Sequence, residues 1–122
     1  MTKTKELRKI VKSLLDKTTG QTYYQNAVDD AAYPYKVFWF DMRVRTSKRD
    51  DLTLIIDTWG LSTSEVEGIA DDIETILDDT NSPDGNSYPT FYLEPRSTIP
   101  DENKDIKRER IRVLVHNYYV GG

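Results

Sequence analysis

His116 is the single histidine of a chain without cysteine, so acid–base or metal chemistry would have to be built from it and from carboxylates. It stands in Arg110-Ile111-Arg112-Val113-Leu114-Val115-His116, an alternating run that reads as a β-strand. A lone imidazole there is far more often a packed or surface residue than a base or a ligand. The pairs Asp29-Asp30, Asp50-Asp51, Asp71-Asp72 and Asp78-Asp79 are sequence neighbours, which diverge on a strand or helix and cannot share a proton. They read as solvated charge. From Asp79 to Gly85 the residue order approaches a calcium loop, but Pro83 stands where a ligand belongs, Gly85 comes one place late and no Glu closes it. The sequence has no glycine-rich phosphate cradle, no G-x-S-x-G elbow and no zinc spacing of histidines. No catalytic residue, metal ligand or cofactor is predicted, and an enzyme is not expected.

What remains is recognition chemistry. Tyr35, Phe38, Trp39 and Phe40 occur with Arg43, Arg45, Lys48 and Arg49, a mixture that could stack bases on a sheet. A nucleic-acid-binding module using the 35–59 hairpin is therefore the alternative reading. The favoured reading places most of these rings in a core and the cations at a hairpin tip, because adjacent Phe38, Trp39 and Phe40 must split between two faces.

The elements that would position these groups follow from periodicity. Residues 30–60 organise the chain as a hairpin whose runs, Lys36–Arg45 and Leu52–Gly60, flank a polar turn at 47–51. Phe38, Phe40, Met42 and Val44 are predicted on one face, while Lys36, Asp41, Arg43 and Arg45 mark the edges and the other face as touched by water or a partner. Trp59 is expected to pack between sheet and second helix, with Phe38, Phe40, Ile56, Ile69 and Ile73 as the rest of the predicted core. Leu7, Ile10, Val11, Leu14 and Leu15 have helical spacing, and Gly20 follows as a stop. Ser62-Thr63-Ser64-Glu65 is a capping box opening a second helix with Val66, Ile69, Ala70, Ile73, Ile76 and Leu77 inward. Weak strands at 22–27 and 88–94, a turn cluster at 81–87 and a final strand at 110–119 complete the order. The predicted class is α+β: a mainly antiparallel sheet of four to five strands with two amphipathic helices packed on one face.

With 122 residues the chain is expected to be one domain, 1–122, ending in a Gly121-Gly122 tail. A hydrophobic fraction of 37% against 31% charged implies a thin core and much solvated or partner-facing surface, as in an assembly subunit. A net charge of -4 argues against a general nucleic-acid binder. No signal peptide or apolar span long enough to cross a membrane is read, so no membrane partner is expected. Residues 96–108, charged and broken by Pro100, are predicted as a mobile loop that orders on docking, with Arg96, Lys104, Lys107 and Arg108 as partner-binding candidates. The first helix carries six cations against two carboxylates, and the second carries seven carboxylates and no cation. Lys5, Lys9 and Lys12 meeting Glu67, Asp71 and Glu74 of a neighbouring copy is the candidate joint, with channel lining or plain solvation as the other uses of the acidic helix.

Tyr23-Tyr24, Ala27, the run Asp30–Phe38, the run Leu52–Gly60 and the helix opening Ser64-Glu65-Val66-Glu67-Gly68-Ile69-Ala70-Asp71 together resemble the small tail-terminator (tail-completion) proteins of long-tailed bacteriophages and prophages. The charged segment before the final strand, Asp105–Tyr119, is similar to that family too. The likeness covers nearly the whole chain and rests on segment order, since Tyr-Pro-Tyr is too short to be specific. Val28 departs from it, where proline often follows the alanine. The resemblance implies a homo-oligomeric ring, usually six subunits, that stops tail-tube polymerisation and presents a surface to head-completion or connector proteins. Genomic DNA would pass through it without specific binding. Such a protein would sit at the tail-neck region of the virion, and in the host cytoplasm during assembly. Another neck or head-closure subunit is the alternative within phage assembly.

Overall fold

Leu7, Val11 and Leu15 recur at helical spacing, and the helix they predict is α1 (Lys3–Leu15), which buries all three. A computed structural model of the chain describes residues 3–45, 49–80 and 89–118, and the side chains of all of these except Lys3, Thr4, Met42 and Tyr118. After α1 come β1 (Gln21–Tyr24), β2 (Tyr35–Arg45), β3 (Arg49–Gly60), α2 (Thr63–Thr80), β4 (Thr90–Leu93), β5 (Ser97–Thr98) and β6 (Lys107–Tyr118). The fold is α+β. One six-stranded sheet runs β1-β2-β3-β6-β4, with β5 also paired to β6. Phe38, Leu54, Ile56, Phe91, Ile111, Val113 and Val115 form one face with α1 and α2 laid over it, and Ile69, Ala70, Ile73 and Leu77 supply the α2 side of that core. Phe40 is only half-buried at its margin.

The sheet has more strands than predicted, and it is mixed. β1 pairs parallel to β2, Gln21 facing Tyr35 and Tyr24 facing Phe38; every other pairing is antiparallel. β3 begins at Arg49, so Arg49, Asp50 and Asp51 are strand where the sequence suggests turn. β6 begins at Lys107, which shortens the predicted 96–108 loop from both ends once β5 is formed. The turn cluster at 81–87 and the Gly121-Gly122 tail lie outside the described residues.

Two corrections concern which way residues face. Phe40 pairs with Leu54 and Met42 with Thr53, leaving Asp41 as an extra residue in β2. This bulge reverses the alternation. Arg43 and Arg45 therefore fall on the side of Leu52 and Asp50, while Val44, predicted inward, is 56% exposed. Asp50, almost wholly buried, accepts from Arg43 Nη2 at 3.1 Å and Arg45 Nε at 3.3 Å. Lys36, predicted at the wet side, is fully buried on the Phe38 face. Its Nζ donates to the carbonyls of Thr19 at 2.8 Å and Gly20 at 2.7 Å.

That pair of bonds ties the turn after α1 to the sheet. Thr18 Oγ1 closes the helix on the Leu15 carbonyl. Gly20 takes a φ of +92°, and a Cβ there would lie 2.5 Å from the Pro34 carbonyl oxygen, so only glycine fits. At the start of α2, Glu65 N–H donates to Ser62 Oγ at 3.1 Å, and Glu65 Oε1 reaches back to the Leu61 amide. The capping box thus closes one residue earlier than its usual reciprocal partner.

Burial pulls Lys36 down from 10.5 to about 8, against the raising effect of Asp16. Between those values the unfolded chain binds a proton that the folded chain has released, so stability rises with pH from about 8 towards 10.5. Urea unfolding of the wild type should show that rise relative to Lys36→Met. Parallel curves for the two proteins would show that Lys36 titrates normally.

Candidate interaction surfaces

The sheet face opposite the helices has no element of the chain laid over it among the described residues, and one carboxylate organises it. Asp57 stands mid-strand in β3, between Val37 of β2 and Arg110 of β6. It is wholly buried. An unpaired carboxylate there would be strongly unfavourable, and two guanidinium groups compensate it. Arg110 donates from Nε to Oδ1 at 2.8 Å and from Nη2 to Oδ2 at 2.9 Å, while Arg108 donates from Nε to Oδ2 at 3.0 Å and also through Nη2. The hydrogen bonding of Arg110 to the Asp57 carboxylate is the main cause that holds its pKa above the usual range. Each guanidinium also covers an indole, Arg108 at 4.6 Å from the Trp59 ring and Arg110 at 5.5 Å from Trp39. Tyr35 stacks on Trp59 at 5.1 Å and Tyr33 follows at 5.4 Å. Beneath this lattice Val37 and Ile55 are buried without help from either helix.

Trp59 is therefore misplaced in the predicted core. It is half-buried on the open face, because its partner Tyr35 and the alternation from Ile56 put it there. Arg108, predicted as part of the partner-binding loop, is engaged within the subunit by Asp57 and Trp59. Arg96 is likewise engaged: Nη1 bonds Asp71 at 2.7 Å and Glu74 at 2.9 Å on α2, and Nε lies 3.5 Å from buried Glu109 on β6. Burial opposes its charge, but the Asp71 hydrogen bond and the Glu74, Asp71 and Glu109 charges outweigh that and raise its pKa. Two of the three acids assigned to the joint thus have a cation inside the same subunit. Glu67, Lys5, Lys9 and Lys12 are exposed, Lys12 pairing with Asp16 at 2.9 Å. The two helices pack side by side within one subunit.

Lys104 and Lys107 lie at a cleft of about 410 Å³ between the start of α2 and residues 98–109. Val66, Ile99, Pro100 and Ile106 form its apolar wall. Lys107 Nζ donates to the Lys104 backbone carbonyl at 2.8 Å. His116 sits far along β6, its ring 4.8 Å from Tyr92 and its Nε2 3.8 Å from Asp51 Oδ1. Burial, with Arg49, pulls its pKa below the ordinary histidine value against the Asp51 charge, and no cluster of three metal-ligating side chains occurs among the described residues.

Compared with known proteins, the chain matches no family model and no curated protein. Its fold does match solved structures. A chain of "Virion of native gene transfer agent (GTA) particle" superimposes on 90% of this chain and 85% of its own length, with TM-score 0.59 and 7% identity. At that identity the similarity is one of fold.

Asp57→Asn should destabilise the subunit by about 2 to 4 kcal/mol, since both arginines lose the charge that compensates them, tempered by their partial exposure. Denaturant midpoints would measure it. A change under about 0.5 kcal/mol would mean that the lattice is ornamental to stability.

Proposed function

We propose that this chain is a non-enzymatic virion-assembly subunit of a phage-like particle, a tail terminator that closes the tail tube with a ring. The observation that carries this reading is the fold likeness to a virion chain over 90% of the sequence, which agrees with the family resemblance of the segments. The proposed ring is a homo-hexamer meeting the tail-tube protein on one side and head-completion or connector proteins on the other, at the tail neck of the virion. Genome DNA would pass through it without specific contacts, and the carboxylates of α2 suit that role wherever they face the channel.

The shape of the subunit supports a ring. Its two sheet edges are unlike, β1 parallel at one side and β4 with β5 at the other, and unlike edges suit the head-to-tail contacts from which cyclic rings close. The nucleic-acid alternative loses support, because the Trp59 and Trp39 rings that would stack bases are already covered by Arg108 and Arg110.

Electron micrographs of particles assembled without this chain provide the test. Tails of uncontrolled length are expected. Tails of normal length detached from heads would contradict termination and assign a joining role instead.

A further inference from the structure

On the flank that carries β1, the sheet is bare beyond Phe38. β1 pairs with β2 only that far, and Gln25, whose N–H donates to the Phe38 carbonyl at 2.9 Å, takes a φ of +69° that turns the chain away. Among the described residues no strand pairs with the outer edge of β2 from 40 to 45. The opposite flank ends in β4 at the same height. Phe40, Leu54, Val113 and Leu93 form one row across the sheet, and Met42, Thr53, Leu114 and Tyr92 form another. β2 and β4 also run in opposite directions, because each of the three pairings that link them is antiparallel.

Sheet edges are commonly protected by charge or by a bulge, yet Val44, Tyr92 and Leu93, three of the six large apolar side chains exposed among the described residues, lie on these two edges. Val44 and Tyr92 share the open face, while Leu93 shares the helix-covered face with Arg43 and Arg45. Each of these arginines gives one bond to Asp50, and their side chains stay 38% and 61% exposed. On the other flank α2 supplies a carboxylate. Arg96, between β4 and β5, bonds Asp71 and Glu74, so that side of α2 faces the β4 and β5 flank. Asp78 follows them by seven and four residues and lies on the same side; it is exposed and has no cation partner among the described residues. In the last turn of α2, which holds no basic residue, a carboxylate opposes the helix dipole. Of the other charges on these edges, Glu94 stands opposite Arg112 and Asp41 lies near Arg110, both within the subunit.

We infer that the edge of β2 from 40 to 45 in one subunit adds antiparallel to β4 of the next, continuing the sheet across the joint. Val44 then lies beside Tyr92 on the open face, and Arg43 and Arg45 reach past Leu93 to Asp78 on the helix-covered face. One chain cannot make this contact, since its own β2 and β4 stand three strand positions apart, about 14 Å at the usual strand spacing. A second copy turned about an axis along the strands brings the two edges together with directions and faces already matched. The inference rests on the ring proposed above and names its joint. Each subunit offers each edge once, so a closed ring leaves neither edge bare.

Because the chain has no cysteine, introduced thiols report the joint cleanly. Val44→Cys mixed with Tyr92→Cys and treated with a short bismaleimide should give covalent dimers, and either variant alone should not. A chain carrying both substitutions should give a ladder that ends at the ring number. Asp78→Lys separates assembly from folding: a cation in the last turn of α2 should raise the denaturation midpoint of the subunit, whereas association should weaken about fivefold, as expected for an exposed ion pair. Rings of untreated protein in negative-stain micrographs, with no 44–92 cross-link and no effect of Asp78→Lys on association, would overturn this joint and leave the ring reading standing. Absence of rings from the wild type would remove both.

Discussion

A carboxylate without access to water in the middle of a sheet has to be compensated on the spot, and Asp57 imposes that condition on everything around it. Arg108 and Arg110 flank Glu109 on β6 and so point the same way, two residues apart, towards the strand that carries Asp57. Drawn down onto the carboxylate, their guanidinium planes lie across Trp59 and Trp39. The result is a sheet with two different closures: helices and aliphatic side chains on one face, an ionic and aromatic lattice on the other. A chain of low apolar content can in this way bury Val37 and Ile55 on a face that no helix covers.

Arg96 draws the start of β5 against α2 and Glu109. At the other side, Lys36 and Gly20 fix the turn after α1 and with it the path into β1. The acidic surface of α2 and the basic surface of α1 serve in part within the subunit, so opposite charge on two helices does not by itself point to an intermolecular contact.

The helices, the central hairpin and the α+β class were legible because periodicity and capping chemistry are local. Leu7, Val11 and Leu15, and Ile69 and Ile73, face where their spacing puts them. Lys36 was legible in principle, since it lies two residues before Phe38 and must share its face, but its charge suggested solvent. The inversion at Val44 was hidden: a bulge at Asp41 depends on pairing with Leu54 and Thr53, which no local pattern reveals. The Asp57 lattice and the Arg96 cluster were hidden for the same reason, each joining residues far apart in sequence. The parallel pairing of β1 escaped notice because four residues carry too little pattern to specify direction.

The central claim is that unlike edges on a rigid subunit close into a ring. Native mass spectrometry of the purified chain across a dilution series tests it most directly. A single closed oligomer that passes to monomer on dilution without populated intermediates is the predicted result. Monomer at every concentration, or an open-ended ladder of growing sizes, would contradict it.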